Sequence, residues 1–131
     1  MSFERVFSGA PWEERVGYCR ALRAGDRVFV TGTASVAPDG SVHGPDDGYA
    51  QAMRCFEIIR EALAGVGAGL EHVTRTRMFV TDIDRWEAYG RAHAEVFGAH
   101  PPWSATVEAR RLIHPHLRSE SEADAVAPRG S

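Results

Sequence analysis

Cysteine is scarce: Cys19 and Cys55 are the only two among 131 residues, and they stand far apart. They form no metal-ligand spacing, and no secretory leader precedes them, so free thiols in a reducing cytoplasm are expected rather than a disulfide. No apolar run approaches the roughly 18 residues that a membrane-spanning helix needs, so no membrane partner is expected. Charge of one sign never accumulates. With a net charge of −3 and no basic stripe, the chain is not expected to bind nucleic acid, which requires clustered cations against phosphate. Internal repeats, low-complexity segments and GxSxG, Walker or dinucleotide fingerprints are all missing. His114-Pro115-His116 offers two imidazoles but no third ligand nearby, so no metal is expected.

What is present is a globular composition. Hydrophobic residues make up 44% and charged residues 25%, enough for one domain with one core. That domain is read as residues 1–127, with 128–131, Pro-Arg-Gly-Ser, as a tail outside the fold that resembles a cloning remnant.

Phe3 to Phe7 predicts a short strand, and Gly9 to Arg15, with Pro11 and Trp12, a loop. Tyr18 to Leu22, a Gly25-Asp26 turn and Arg27 to Thr33 read as a hairpin. Gly32 interrupts its second strand, the mark of a bulge or of a close approach by another group. After a loop rich in Gly, Pro and Asp, Asp46 or Asp47 can cap a helix. Ala52, Cys55, Phe56, Ile59, Leu63 and Val66 then recur at helical spacing from Tyr49 to Val66. Gly65, Gly67 and Gly69 terminate this helix, which explains GVGAGL without a phosphate loop. Val73 to Thr81 follows as a strand, and strand, helix, strand suggests a crossover with parallel pairing. Asp84 to Glu87 reads as a capping box opening a helix that ends at Phe97. Its inner stripe is Trp86, Tyr89, His93, Val96 and Phe97, which makes His93 a core histidine. Trp86 and Trp103 are expected in the core or an interface, and Cys19 as a passive thiol.

Pro101 to Ala127 reads as two strands, 104–112 and 118–126, forming a hairpin around a proline-bearing loop. Thr106, Glu108 and Arg110 share one face of the first strand. Arg118, Glu120, Glu122 and Asp124 share one face of the second, while Ser119, Ser121, Ala123 and Ala125 occupy the other. A row of carboxylates is costly unless it meets water, cations or a ligand. The hairpin is therefore either a sheet edge in solvent or the wall of a polar cleft, where Glu120 could orient or deprotonate a water. The element order predicts an α+β fold, one mixed sheet with two helices on one face. The other face is left for a second subunit.

Several stretches together resemble the Rid family of reactive-intermediate (imine and enamine) deaminases. The family is also called YjgF-type and, under an older name, endoribonuclease L-PSP. The pieces are VGYCRA from Val16, VFVTGT from Val28, AQAMRCFEIIREAL from Ala50, GAGLEHVTRTRMFVTDIDRW from Gly67, and PPWSATVEARRLI with SESEADAVA near the end. The resemblance implies a chorismate-mutase-like fold and a homotrimer whose sheets form an inner barrel, with a small-molecule site in each inter-subunit cleft. It also implies hydrolysis of 2-imino acids and their enamine tautomers to 2-keto acids and ammonia, without a cofactor. Carried over residue by residue, Tyr18 and Gly32 line the pocket, Glu120 positions water and Thr106 takes a pocket position. The family's carboxylate-binding arginine falls on Ser104, and an asparagine of the second helix falls on Gly90. Serine lacks the two parallel donors of a guanidinium, so this pattern speaks against the 2-imino acid activity, and Arg110 or Arg118 is left to bind an anionic group. The implied function is a Rid-type hydrolase of a small imine, enamine or related metabolite. Glu120 would be catalytic, with Tyr18, Gly32, Ser104, Thr106 and Arg118 at the ligand. The alternative is a non-catalytic trimeric small-molecule-binding or interaction protein.

Overall fold

A computed structural model describes residues 2–129. Gly130 and Ser131, the end of the expected tail, lie outside the described residues. The strands are β1 (Glu4–Val6), β2 (Ala21–Ala24), β3 (Arg27–Ala34), β4 (Val73–Val80), β5 (Trp103–Glu108) and β6 (Ser119–Val126); the helices are α1 (Pro11–Val16), α2 (Gly48–Gly65) and α3 (Trp86–Phe97). The strands form one six-stranded sheet in the order β1-β2-β3-β6-β4-β5. All pairs are antiparallel except β4 with β5.

This topology corrects three expectations. β5 and β6 form no hairpin: β4 lies between them, pairing with both. A hairpin needs a tight turn, whereas 109–118 is an irregular segment long enough to pass the end of β4. Arg110 accordingly lies in this connection and not on a strand. β6 is also no sheet edge but a central strand between β3 and β4. β3 and β4 therefore do not pair with each other across α2; the parallel crossover is β4–α3–β5.

Local signals explain most of the elements. Asp47 caps α2 by accepting from the Ala50 amide at 3.0 Å. The segment around Pro11 is a short helix, not a loop, because proline at the first turn presets helical φ and Gly17 closes it at φ +88°. The capping box at Asp84 does not form. Asp82 instead accepts from the Asp84 amide, capping a single 3-10 turn over Ile83–Arg85, and α3 begins beyond it. Trp86, placed at the first residue of α3, is 58% exposed and does not join the inner stripe; Trp103 is 71% exposed. The Trp103 ring instead carries the Arg75 guanidinium 4.4 Å from its centroid. Within the tail, Arg129 pairs with Glu4 of β1.

The core is one-sided. Val28 and Val30 of β3, Met78 and Val80 of β4, and Ala123 and Ala125 of β6 meet Phe56, Ile59 and Leu63 of α2 and Tyr89 and Phe97 of α3. The opposite face carries Phe29, Phe79, Glu120, Glu122 and Asp124, with no covering helix among the described residues. Gln51, buried in the first turn of α2, ties two loops to the core. Its Nε2 donates to the carbonyls of Gly44 and His116 at 2.9 and 2.8 Å, and its Oε1 accepts from the Arg118 amide at 2.6 Å. Gln51→Leu leaves these groups unpartnered, at about 1–3 kcal/mol for each that stays dry. The expected loss is about 2–4 kcal/mol, read as a lower urea midpoint at unchanged m-value.

Candidate functional site

On the open face, the β3–β6 register slips between Val30 and Thr33. Gly32 sits in this bulge, as the strand glycine suggested. Its carbonyl accepts from Arg20 Nη1 at 2.7 Å, and the same nitrogen donates to Thr33 Oγ1 at 3.2 Å. Arg20 Nε donates to Glu13 Oε2 at 3.2 Å, and both side chains are buried. The Ser8 amide and hydroxyl donate to the same carboxylate. Tyr18 lies beside this pair, with the Arg20 guanidinium 5.5 Å from its ring centroid.

Glu120 enters from β6. A Cβ on Gly32 would lie 3.0 Å from Glu120 Oε2, so the missing side chain is what gives the carboxylate its seat. Burial pushes the Glu120 carboxyl up, the Arg20 charge pulls it partly back, and Glu122 adds to the rise. The result is a carboxylate of increased basicity on a face without in-chain cover.

A second polar cluster stands on the helix side. Register places Ser104 opposite Thr76 and Thr106 opposite Met78, and paired residues share a face. Thr76 Oγ1 lies 2.7 Å from Ser104 Oγ and 2.8 Å from His93 Nε2. Thr76 is buried and Ser104 exposed. The rings of Phe56 and Phe97 pack on His93 at 5.8 and 4.7 Å, and burial pushes its pKa down, so the imidazole is neutral. His93 is thus a satisfied histidine of the apolar stripe, as its spacing suggested. A Cβ on Gly90 would make only an ordinary 3.7 Å contact with Trp86, so packing does not require glycine there.

The residues read from the sequence therefore divide. Tyr18, Gly32 and Glu120 come together, joined by Arg20, while Ser104 and Thr106 lie across the sheet. Arg118 joins neither group: its guanidinium binds Asp46 Oδ1 at 2.6 Å. Asp46 holds a left-handed backbone at φ +61° and also binds His116 Nδ1 at 3.0 Å. Arg110, Arg111, His114 and Arg118 line a concavity of the 109–118 connection with Thr81. Arg20 and Glu13 were not singled out from the sequence. Arg20 is two residues from Tyr18, in the run read as the first hairpin strand, which begins only at Ala21; nothing local marks Glu13.

Among the described residues, no group of three or more His, Cys, Asp or Glu is arranged to hold a metal. No helix there is long and apolar enough to cross a membrane. Both cysteines are free, and burial pushes the Cys55 thiol up to about 12.

Comparison with known proteins agrees with this architecture. The family model described as Endoribonuclease L-PSP matches residues 10–127. An uncharacterized protein of Streptomyces coelicolor is 38% identical over 121 residues, spanning 92% of this chain and 90% of its own. A RutC family protein of Pyrococcus abyssi is 27% identical over 95 residues, 72% of this chain and 75% of its own. A crystal structure from Mycobacterium tuberculosis, described as a member of the highly conserved YjgF/YER057c/UK114 family, is 42% identical. It superposes with a TM-score of 0.88 over 96% of this chain and 100% of that one. The Escherichia coli YjgF gene product, at 24% identity and TM-score 0.81 over 94% and 98% of the two chains, shares the fold.

The raised Glu120 carboxyl sets a pH-dependent term in stability. The folded chain holds this proton more tightly than the unfolded chain, so the ionised side chain opposes folding as pH rises past the ordinary carboxylate range. Glu120→Gln removes that penalty. The variant is expected to exceed the wild type in Tm at about pH 8 and to gain little at about pH 4. A Tm difference that stays flat across this range contradicts the raised carboxyl.

Proposed function

The chain belongs to the endoribonuclease L-PSP family, which takes in YjgF-type and RutC-type proteins, and from that premise we propose that it is a hydrolytic deaminase of a small imine or enamine. It acts without a cofactor, in a cleft between subunits of a homotrimer. The observation that carries this reading is the seat of Glu120, a carboxylate of raised basicity set against the bare Cα of Gly32. Ionised Glu120 takes a proton from water as the water oxygen bonds to the imine carbon. The same proton is then delivered to the nitrogen, giving the carbinolamine. Glu120 next carries the carbinolamine hydroxyl proton to that nitrogen as the C–N bond breaks, and carbonyl product and ammonia leave. Arg20 is held by Glu13 and the Gly32 carbonyl, so its charge lowers the basicity of Glu120 only in part, and burial keeps the carboxyl raised.

The trimer is supported by the division of the polar residues. Glu120 and Ser104 lie on opposite faces of one sheet, so a single cleft that uses both needs a second copy of the chain. Phe29 and Val126, each 43% exposed on the uncovered face, would be buried as three sheets close into a barrel. Such an assembly buries well over 1,000 Å² in total, roughly the threshold of a stable interface. Light scattering is expected to give the mass of three subunits; a single-subunit mass at micromolar concentration removes the shared cleft.

Ser104 stands where the family's arginine would hold a substrate carboxylate, and the guanidinium of Arg118 is already engaged by Asp46. Two charge-assisted hydrogen bonds, about 1.5–3 kcal/mol each, are therefore missing, and about 1.4 kcal/mol is tenfold in affinity. The same serine favours a second reading, a trimeric ligand-binding or interaction protein that keeps the pocket without the chemistry. The deciding experiment generates 2-aminoacrylate with a dehydratase and follows pyruvate, in parallel with an imine lacking a carboxylate made in situ by an amine oxidase. We expect near-background pyruvate release by the wild type, a gain on Ser104→Arg, and hydrolysis of the uncharged imine that Glu120→Ala abolishes. Strong 2-aminoacrylate turnover refutes the role given to Ser104. Hydrolysis of neither substrate selects the binding-protein reading.

A further inference from the structure

We propose that His93, Thr76 and Ser104 form a hydrogen-bonded relay that makes Ser104 the recognition point for an uncharged carbonyl or amide group of the ligand. This rests on the reading of the Ser104 cleft as the ligand site, not on the reaction carried out there. The three side chains come from α3, β4 and β5, with the Thr76 hydroxyl 2.8 Å from His93 Nε2 and 2.7 Å from Ser104 Oγ. Thr76 is 0% exposed, so no water competes for its single hydrogen. A hydroxyl with one hydrogen must accept on one side when it donates on the other.

Two arrangements satisfy the chain. In the first, His93 Nε2–H donates to Thr76, Thr76 donates to Ser104, and the Ser104 hydrogen points into the cleft. In the second, Ser104 donates to Thr76, Thr76 donates to bare Nε2, and Ser104 shows the cleft only lone pairs. Each arrangement requires one tautomer of His93, Nε2–H or Nδ1–H. The ring is packed against Phe56 and Phe97, and burial alone depresses its pKa, so the whole chain is neutral. A neutral chain presents one donor or one acceptor and no countercharge. It matches a carbonyl or amide and leaves a desolvated carboxylate unbalanced.

The His93 tautomer is therefore the readout. The protein is labelled with 15N on histidine and followed by NMR. It is titrated with N,N-dimethylacetamide, a neutral group that only accepts, and with propionate, a charged group of similar size. The amide is expected to drive His93 toward the Nε2–H form and to bind at least about tenfold more tightly than propionate, a difference of about 1.4 kcal/mol. Thr76→Val, checked for fold by its backbone spectrum, is expected to lose the tautomer response while the amide signals of residues 104–106 still shift. Thr76→Ser is expected to restore the response. Equal binding of propionate, or a His93 response that survives Thr76→Val, overturns the proposal. So does the absence of any shift at 104–106 with either probe; Glu120-dependent hydrolysis would then still stand, because it is measured separately.

Discussion

Strand β6 occupies the centre of the sheet because its inward side chains are small. Ser119, Ser121, Ala123 and Ala125 are at most 2% exposed and form the floor beneath α2. A bulkier residue in this row would force α2 outward and loosen Gln51 from both of its loops, since packed interiors accommodate added volume poorly. The hydroxyls of Ser119 and Ser121 are buried without a partner among the described residues, a cost the close helix contact must outweigh. Strand alternation then fixes the other face. With small residues inward, Glu120, Glu122 and Asp124 must project outward, so the strand in closest contact with the helix also supplies the carboxylates of the open face.

What those carboxylates become depends on their neighbours. Glu122 pairs with Arg77 across the β4–β6 ladder, an ordinary cross-strand ion pair. Glu120 meets an arginine already held by Glu13 and by the Gly32 carbonyl. It feels that charge without a direct ion pair, and burial dominates its proton affinity. The bulge at Gly32 makes both effects possible: it turns the carbonyl toward Arg20 and leaves bare Cα where the carboxylate rests.

Helices α2 and α3, the β2–β3 turn, the bulge and the uncovered sheet face were legible in the sequence, because each has a local or periodic signature; the six-residue α1 is too short to show a period and read as a loop. Strand order was not. Alternation reports which face a residue occupies, not which strand lies beside it, so β5 and β6, adjacent in sequence, looked like a hairpin. Tyr18, Gly32 and Glu120 were legible through the family resemblance, and their meeting depends on β3 and β6 pairing. Arg118 was placed by alternation on the face of Glu120, but Asp46, from a loop distant in sequence, captures it. Thr76 attracted no notice, since a threonine in a strand signals only β-propensity. Its role appears once α3 brings His93 over β4.

The last strand of the chain is thus the middle strand of the sheet. During synthesis β3 and β4 emerge before β6, the strand that lies between them and joins them in the finished sheet. Until then both strands show unpaired edges, the kind of surface through which nascent chains associate wrongly. Closure must wait for contacts distant in sequence, which slows folding. A ribosome that stalls or terminates before Ser119 would release a two-piece sheet with α2 lacking its floor. For this fold, the arrival of β6 matters as much as the stability of the finished sheet.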